Sequence, residues 1–191
     1  MSARAFPVAA VIVGAGAGTR FGEPKAGARL SDGRRFIDAI AALAAAAGLA
    51  PVVGVLPPGI PAPPGVEQVV NPDARGEQVG SLRLGLSRLA NTSVVGAVAW
   101  PVDHPFVALE TLLAILDTAR RTGAPIVAPE HEGRRGHPVF FHRDTWRELL
   151  TVADGGARAV VRAYGSRVAV IRVRDAGIHR DVDTRGDLEG T

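Results

Sequence analysis

The sequence contains no cysteine, a single lysine and few aromatic residues among its 191 positions. Without cysteine the chain has no disulfide, no thiolate metal ligand and no cysteine nucleophile. Aromatic residues make up only 5% of the chain against 47% for all hydrophobic residues, so Val, Leu, Ile and Ala must fill the core. No apolar run reaches the ~20 residues that a membrane-spanning helix needs, and we expect no contact with a membrane.

The chain also lacks a strong excess of charge and any run of basic residues. Its net charge is +3, which is too small to indicate nucleic-acid binding, and no aromatic residues alternate with basic ones. Residues 1–17 faintly resemble a secretory leader, but their apolar run continues directly into a glycine-rich loop that cleavage would destroy. We therefore expect a cytoplasmic protein with no nucleic-acid partner.

The glycine-rich loop follows the apolar segment 8–13, which is typical of a buried strand. Three alternating glycines end this strand, and two cations follow: Gly14, Gly16, Gly18, Arg20 and Lys25. Glycines let backbone N–H groups approach an anion closely, so this layout predicts a loop that holds a polyphosphate. Because Lys25 is the only lysine in an arginine-rich chain, we interpret it as a compact ammonium at a site; chance in a biased composition is the alternative.

The loop matches neither of the two common glycine fingerprints. Thr19 stands where the third glycine of G-x-G-x-x-G belongs, and Ala26 stands where a Walker loop requires Ser or Thr. A dinucleotide-binding Rossmann site and a P-loop ATPase are therefore both disfavoured.

Strands and helices alternate along the sequence, which predicts one three-layer α/β/α domain with a mostly parallel sheet. Residues 57–65 are rich in proline and predict a surface connection, and residues 130–136 predict a loop. Strands are predicted at 8–13, 51–56, 67–70, 94–100, 125–128, 139–141 and 167–173, and helices at 34–47, 78–89, 109–121, 145–152 and 157–164, before a short last helix. Ligands should bind at the carboxyl edge of such a sheet.

Acidic residues follow two of these strands. Asp103 comes after strand 94–100 between two prolines and is either a functional carboxylate or a structural residue that caps the next helix or forms a turn. Asp181 and Asp183 follow strand 167–173, and for Asp183 an N-terminal cap of the last helix is favoured. Two carboxylates from separate strand ends could hold one Mg²⁺ against a polyphosphate.

Two further residues permit both a structural and a functional interpretation. Ser81, near the start of its helix, is either a capping serine, which is favoured, or a donor to an anion. His137, between Gly136 and Pro138, belongs either to the wall of a pocket or to an ordinary turn.

The sequence as a whole resembles the MobA-like NTP transferases, and within them the molybdenum cofactor cytidylyltransferase (MocA-like) branch. The resemblance covers practically the whole chain, in six blocks of the same order and spacing: GAGAGTRFGEPK, NPDARGEQVGSLRLGL, PVDHP, GRRGHPVFF, ADGGARAVVRAY and DVDTRGDLE. It implies a Rossmann-like fold of the nucleotide-diphospho-sugar transferase (GT-A-like) type.

The resemblance also implies roles for matching positions. The triphosphate would be held by Ala15, Gly16, Gly18, Arg20 and Lys25. Asp103 would bind Mg²⁺ with Asp181 as the second metal contact, and Arg20, Lys25 and Asp103 would be catalytic. Asn71 and Ser81 would line the nucleotide or acceptor cleft, and Gly136, His137 and Pro138 would face the acceptor.

Three positions depart from the family pattern, and two of them, Gly14 and Val102, bear on the choice of base. Gly14 replaces the more usual alanine, Val102 replaces a glycine, and Arg185 stands where proline is usual.

The resemblance implies transfer of CMP from CTP to the terminal phosphate of molybdopterin, with a molybdoenzyme or its chaperone as protein partner. The alternatives are nucleotidyl transfer to another phosphorylated acceptor, such as a sugar phosphate, and a non-catalytic accessory protein that binds the molybdenum cofactor.

Overall fold

The central feature of the computed structural model, which describes residues 5–14, 24–73 and 78–188, is an eight-stranded sheet. The strands are β1 (Val8–Val13), β2 (Val52–Leu56), β3 (Val66–Val70), β4 (Gly96–Pro101), β5 (Ile126–His131), β6 (Arg134–Arg135), β7 (Val139–His142) and β8 (Val168–Arg172). The helices are α1 (Phe36–Ala46), α2 (Gln78–Arg88), α3 (Leu109–Thr122), α4 (Trp146–Thr151) and α5 (Gly156–Tyr164), with short 3₁₀ turns between them.

The sheet is mostly parallel, with order β3-β2-β1-β4-β7-β5-β6, and β8 pairs with β5. Strands β1 to β4 pair in parallel, with Val8 opposite Gly96 and Ala10 opposite Val52. Only β6 and β7 run antiparallel to their neighbours among the described strands. The carboxyl ends of β1 and β4 therefore meet at one edge, where the sequence predicts the ligand site.

Helices cover both faces of the sheet, because alternate residues of each strand point to opposite faces. On β1, Val8, Ala10 and Ile12 pack into one apolar cluster with α1 and α3. Ala9, Val11 and Val13 pack into a second cluster with α2, α4 and α5. All six side chains of β1 are buried, as expected for the central strand of a three-layer α/β/α fold.

The predicted elements are confirmed, and their ends shift by up to three residues. The loop predicted at residues 130–136 is wrong, because β5 continues to His131 and forms a hairpin with β6. Glu132 and Gly133, both with positive φ, form its turn. The charged residues of this exposed hairpin lack the apolar alternation that indicates a strand.

The segment after β8 returns to the carboxyl edge of the sheet through contacts distant in sequence. Asp175 accepts hydrogen bonds from the Ala108 amide (2.9 Å) and the Thr111 hydroxyl (2.7 Å) at the start of α3. Further on, the Val182 amide donates to the Asp103 carbonyl at 2.9 Å. These contacts place residue 183 next to the end of β4.

No helix in the three described ranges has the length and hydropathy needed to cross a bilayer.

Candidate active site

Lys25 is the point at which the separate acidic segments meet. It begins a 3₁₀ turn whose next residue, Ala26, is fully buried, so the backbone is anchored and the side chain is directed to the sheet edge. Its ammonium lies 3.4 Å from Asp103 Oδ2 and pairs closely with Asp183 Oδ1. Only 15% of the Lys25 side chain and 16% of the Asp103 side chain are exposed, so this ion pair is shielded from solvent, whereas the Asp183 side chain is 40% exposed.

Asp103 lies in a turn directly after β4 and is held from two sides. Burial raises the pKa of its carboxyl, but the His104 hydrogen bond and the nearby charges of His104 and Lys25 outweigh this, and the pKa is lowered. The Asp103 Oδ1 to His104 Nδ1 distance is 2.9 Å. Since Asp175, not Asp103, bonds the amide at the start of α3, the helix-capping interpretation of Asp103 is wrong.

Asp183, rather than Asp181, shares Lys25 with Asp103. The favoured capping role of Asp183 belongs instead to Asp187, whose carboxylate accepts from the amides of Asp183 (2.9 Å) and Thr184 (2.7 Å). The Asp183 carboxylate instead faces Lys25. Asp181 is exposed and makes no side-chain hydrogen bond or ion pair within the described residues. Metal binding by Asp181 stays a prediction.

The predicted acceptor residues lie beside this cluster. The His137 ring packs edge-on against His104, with ring centroids 4.9 Å apart. Gly136 is required here because a Cβ would lie 2.4 Å from the Ile178 carbonyl oxygen. The His137 amide donates to that same oxygen at 3.0 Å, and Pro138 follows through a cis peptide bond and is buried.

His137 is neutral over the physiological pH range. Burial, followed by the nearby charge of His104, lowers its pKa to about 4. Its Nδ1 is buried without a hydrogen-bond partner within the described residues. A neutral ring can leave a lone pair unpaired at lower cost than an N–H, so we assign the proton to Nε2.

A cavity of about 610 Å³ opens next to these residues, on the face of the sheet covered by α2 and α5. Its floor is formed by apolar residues of β1, β4 and β7, and Gly136 and His137 form one side. Residues of α2, the first residues of α5 and three arginines complete the lining, so the cavity joins an apolar floor to a basic rim. This volume suits a small-molecule ligand.

Asn71 and Ser81 bind one another instead of facing the large cavity. Ser81 is the fourth residue of α2 and is buried, and its hydroxyl accepts a 2.9 Å hydrogen bond from the Asn71 amide. Asn71 Oδ1 in turn accepts from the Asp73 amide. Ser81 is thus not a capping residue. Asn71, Asp73 and Gly80 border a smaller cavity of about 320 Å³.

The remaining members of the predicted triphosphate loop, Ala15, Gly16, Gly18 and Arg20, lie outside the described residues. Gly14, at their start, is described and tightly enclosed: a Cβ there would lie 3.0 Å from Leu56 Cδ2 and 3.2 Å from Ala26 Cβ. Gly14, at the end of β1, therefore lies at a close-packed point beside the residues that adjoin Lys25 and Asp103 in sequence, Ala26 and Val102.

The acidic pair has the chemistry required for a hard divalent cation. Asp103 and Asp183 offer carboxylate oxygens on both sides of a positive charge, which is Lys25 here. Magnesium and manganese prefer such oxygens together with phosphate and water ligands. Within the described ranges, no group of three or more potential ligand residues forms a complete metal site, so a phosphate would have to complete the coordination.

Two features of this site are missed by reasoning from the sequence. One is His104, which directly follows Asp103 and holds its carboxylate. The other is the pair Arg158 and Arg162, whose segment belongs to one of the blocks shared with the family. Their spacing of four residues, which places both on one helix face, was the available signal.

Comparison with known proteins identifies a family and a set of related folds. Residues 10–168 match the family model for the MobA-like NTP transferase domain. No protein of curated function matches the chain.

Among solved structures, Rv0371c from Mycobacterium tuberculosis H37Rv is 27% identical over 97% of each chain, with a TM-score of 0.84. A structure of Rv0371c in complex with manganese is 26% identical over 97% of this chain and 100% of its own, with a TM-score of 0.79. The 2-C-methyl-D-erythritol 4-phosphate cytidylyltransferase from Thermus thermophilus is 21% identical over 96% of each chain, with a TM-score of 0.68, and shares the fold.

Proposed function

The chain belongs to the MobA-like NTP transferase family, and on this premise we propose that it transfers CMP from CTP to the terminal phosphate of molybdopterin and releases pyrophosphate. The reaction would depend on Mg²⁺ and take place in the cytoplasm, with a molybdoenzyme or its chaperone receiving the product. Family membership supports nucleotidyl transfer as the reaction. Cytosine as the base and molybdopterin as the acceptor are proposed in addition.

One observation carries the proposal: Lys25 lies between Asp103 and Asp183, and Ala26 next to it packs against Gly14, where the glycine-rich segment begins in the sequence. A triphosphate bound by that loop would bring several negative charges to this point. The ammonium and a divalent cation are the groups that such a ligand requires. The manganese complex of Rv0371c supports a divalent metal in this family, and we propose Mg²⁺ for this chain.

We propose Asp103 and Asp183 as the protein ligands of the metal, with Asp181 as the competing assignment. When bound, the cation would neutralise charge that develops on the α-phosphate and on the leaving pyrophosphate. The lowered pKa of Asp103 supports this role, because the carboxylate stays ionised at neutral pH.

The protein's own residues would do the rest by positioning and charge. A phosphate acceptor is already anionic near neutral pH, so the reaction requires no general base. Lys25, and Arg20 by family resemblance, would neutralise the departing phosphates. Ala15, Gly16 and Gly18 would offer backbone N–H groups to the triphosphate, as the resemblance implies.

The acceptor is proposed to occupy the cavity beside His137, with Gly136 and Pro138 shaping its wall. The apolar floor of this cavity supports a flat heterocyclic acceptor over a sugar phosphate. A sugar needs acceptors for its hydroxyls, and no Asp or Glu is found among the described lining residues. Asn71 and Ser81 would act indirectly, because their mutual hydrogen bond joins the end of β3 to α2.

The test is release of pyrophosphate from CTP, GTP and ATP with Mg²⁺, each with molybdopterin, with glucose 1-phosphate or with no acceptor. We expect release with CTP and molybdopterin only. Turnover with glucose 1-phosphate instead would favour the sugar-phosphate alternative. Binding of molybdopterin without release from any nucleotide would contradict an enzyme and favour the accessory protein.

A further inference from the structure

Three arginines around the large cavity have no partner for their charge among the residues that the structure describes. Arg135, Arg158 and Arg162 line the cavity, and their side chains form no hydrogen bond, ion pair or ring contact within the described ranges. Other arginines of the chain are differently placed: Arg35 binds Asp38 at 2.6 Å, and Arg143 donates to backbone carbonyls. The rim of the cavity thus carries positive charge that the described part of the protein leaves uncompensated.

Two of these arginines share one face of α5. Arg158 and Arg162 are four residues apart, the spacing at which side chains on a helix are neighbours, and like charges at this spacing repel. Gly155 and Gly156, both with positive φ, begin the helix at the cavity wall. The amides of the first turn lack partners within the helix and add to the attraction for an anion.

His137 provides a donor of another kind on the opposite side. With the proton assigned to Nε2 and Nδ1 buried, Nε2 is the accessible nitrogen of the ring. No hydrogen bond to it exists within the described part of the chain. Arg158 lies close enough for its charge to act on this imidazole. The cavity therefore has one neutral donor near Asp103 and a pair of cations farther along α5.

The floor between them is apolar. Leu82, Ala99, Val139 and Phe141 line it, and they offer apolar contact area and no hydrogen-bond partner for a hydroxylated ligand. Flat apolar bodies gain most from such a surface.

We propose that Arg158 and Arg162 bind a second anionic group of the acceptor, at the opposite end of a flat apolar body from the phosphate that reacts near Asp103. The inference rests on the proposed function, since it assigns the cavity to the acceptor of that reaction. Arg135, on the β5–β6 hairpin, would close the same anion site from the other side. The acceptor's length and second charge would then determine specificity.

The experiment measures binding in the absence of nucleotide and metal, with 1-naphthyl phosphate as the anionic flat probe. 1-Naphthol serves as the uncharged body and glucose 1-phosphate as the hydroxylated anion. We expect wild type to bind 1-naphthyl phosphate at least about tenfold tighter than either comparison probe, because hydrogen bonds between charged groups are about twice as strong as neutral ones.

Variants test whether the two α5 arginines bind the phosphate of the probe. Arg158→Gln with Arg162→Gln should weaken 1-naphthyl phosphate about tenfold or more and leave 1-naphthol within twofold. Two control variants, Arg121→Gln and Lys25→Ala, should bind the probe like wild type. Arg121 is an exposed arginine of α3, which covers the face of the sheet opposite the cavity. If the double variant unfolds, Arg162→Gln alone should show a smaller loss.

The inference is overturned if glucose 1-phosphate binds as tightly as 1-naphthyl phosphate. It is also overturned if Lys25→Ala loses the probe while the arginine variants keep it, because the phosphate would then bind at the reacting end. None of these measurements requires turnover. Absence of nucleotidyl transfer would therefore count against the proposed function, whereas the anion site is tested by the binding of the probes alone.

Discussion

At the scale of single residues, Lys25 supplies the only lysine ammonium of the chain, and its two carboxylate partners come from distant segments. Asp103 follows β4, and Asp183 belongs to the segment after β8. An ammonium is a compact charge that can serve two carboxylates or a triphosphate by a small rotation. Lys25 could thus exchange these carboxylates for the phosphates when a metal–nucleotide complex enters.

Lys25→Ala should lower kcat by about a hundredfold or more, as expected for loss of one group that stabilises charge in the transition state. Lys25→Arg should recover only part of this rate, because a planar fork does not replace a point charge. Steady-state kinetics of pyrophosphate release checks both variants, with circular dichroism to confirm folding. A kcat for Lys25→Ala near that of wild type would remove Lys25 from the mechanism.

The sequence indicated Lys25 and Asp103 but left the second carboxylate open between Asp181 and Asp183. Lys25 was identifiable because its residue type is unique, and Asp103 because prolines bracket it after a buried strand. The choice between Asp181 and Asp183 depends on the Asp187 carboxylate. It accepts hydrogen bonds from the amides of residues 183 and 184, and the Asp183 side chain then faces Lys25. Such local side-chain to backbone bonds leave no periodic signal in a sequence.

At the scale of elements, the segment after β8 is a strap between α3 and the active site. Asp175 holds its start by three hydrogen bonds, to the amides of Ala108 and Gly177 and to the hydroxyl of Thr111. The bond from Val182 to the Asp103 carbonyl holds its end. The strands and helices could be predicted from the alternation of apolar residues, but the contacts of Asp175 with α3 and of Val182 with Asp103, which join residues more than sixty positions apart, could not.

Asp175→Ala should lower the free energy of unfolding by about 1–3 kcal/mol, since it leaves partly buried donors at the start of α3 without a partner. It should also raise the metal concentration needed for activity, because Asp183 would lose its anchoring. Asp117→Ala is the matched control: Asp117 is an exposed α3 residue paired with Arg120 and Arg121, and its loss should cost less than about 0.5 kcal/mol. Urea unfolding of both variants measures the difference, and equal losses would show that Asp175 makes no special contribution.

At the scale of the whole molecule, the sheet order brings together the ends of β1 and β4, Lys25 and the returning strap. The cavity lies beside this point on one face, and α1 and α3 close the other face with apolar packing. Fold class and the site edge follow from the alternation of strands and helices in the sequence. The basic rim of the cavity could not be predicted from the sequence, because α5 and the β5–β6 hairpin approach one another only in the folded chain.

The enclosed imidazole of His137 should make the whole fold sensitive to mild acid. Its pKa is about 4 in the folded state and 6.5 unfolded, so between these values only the unfolded chain gains the proton. The free energy of unfolding should therefore fall as the pH drops from about 6.5 to 4, by up to about 3 kcal/mol. The lowered pKa of Asp103 adds a further loss only below its unfolded value of 3.8.

Urea unfolding at pH 7.5 and pH 5 checks this dependence in wild type, His137→Asn and the control His142→Asn. His137→Asn should flatten the dependence between these pH values, and His142→Asn should retain it. A wild-type free energy of unfolding that stays constant across this interval would contradict a neutral, enclosed His137.

The central claim is that Asp103 and Asp183 together hold the metal of a bound triphosphate beside Lys25. Electron paramagnetic resonance of Mn²⁺ in the presence of CTP measures this directly, by titrating wild type, Asp103→Asn, Asp183→Asn and the neighbouring control Asp181→Asn. We predict that Asp103→Asn and Asp183→Asn each weaken Mn²⁺ binding by about tenfold or more, as expected for loss of one charged ligand worth roughly 1.5–3 kcal/mol, with Asp181→Asn within twofold of wild type. Wild-type affinity in Asp103→Asn, or a loss in Asp181→Asn with none in Asp183→Asn, would contradict the account.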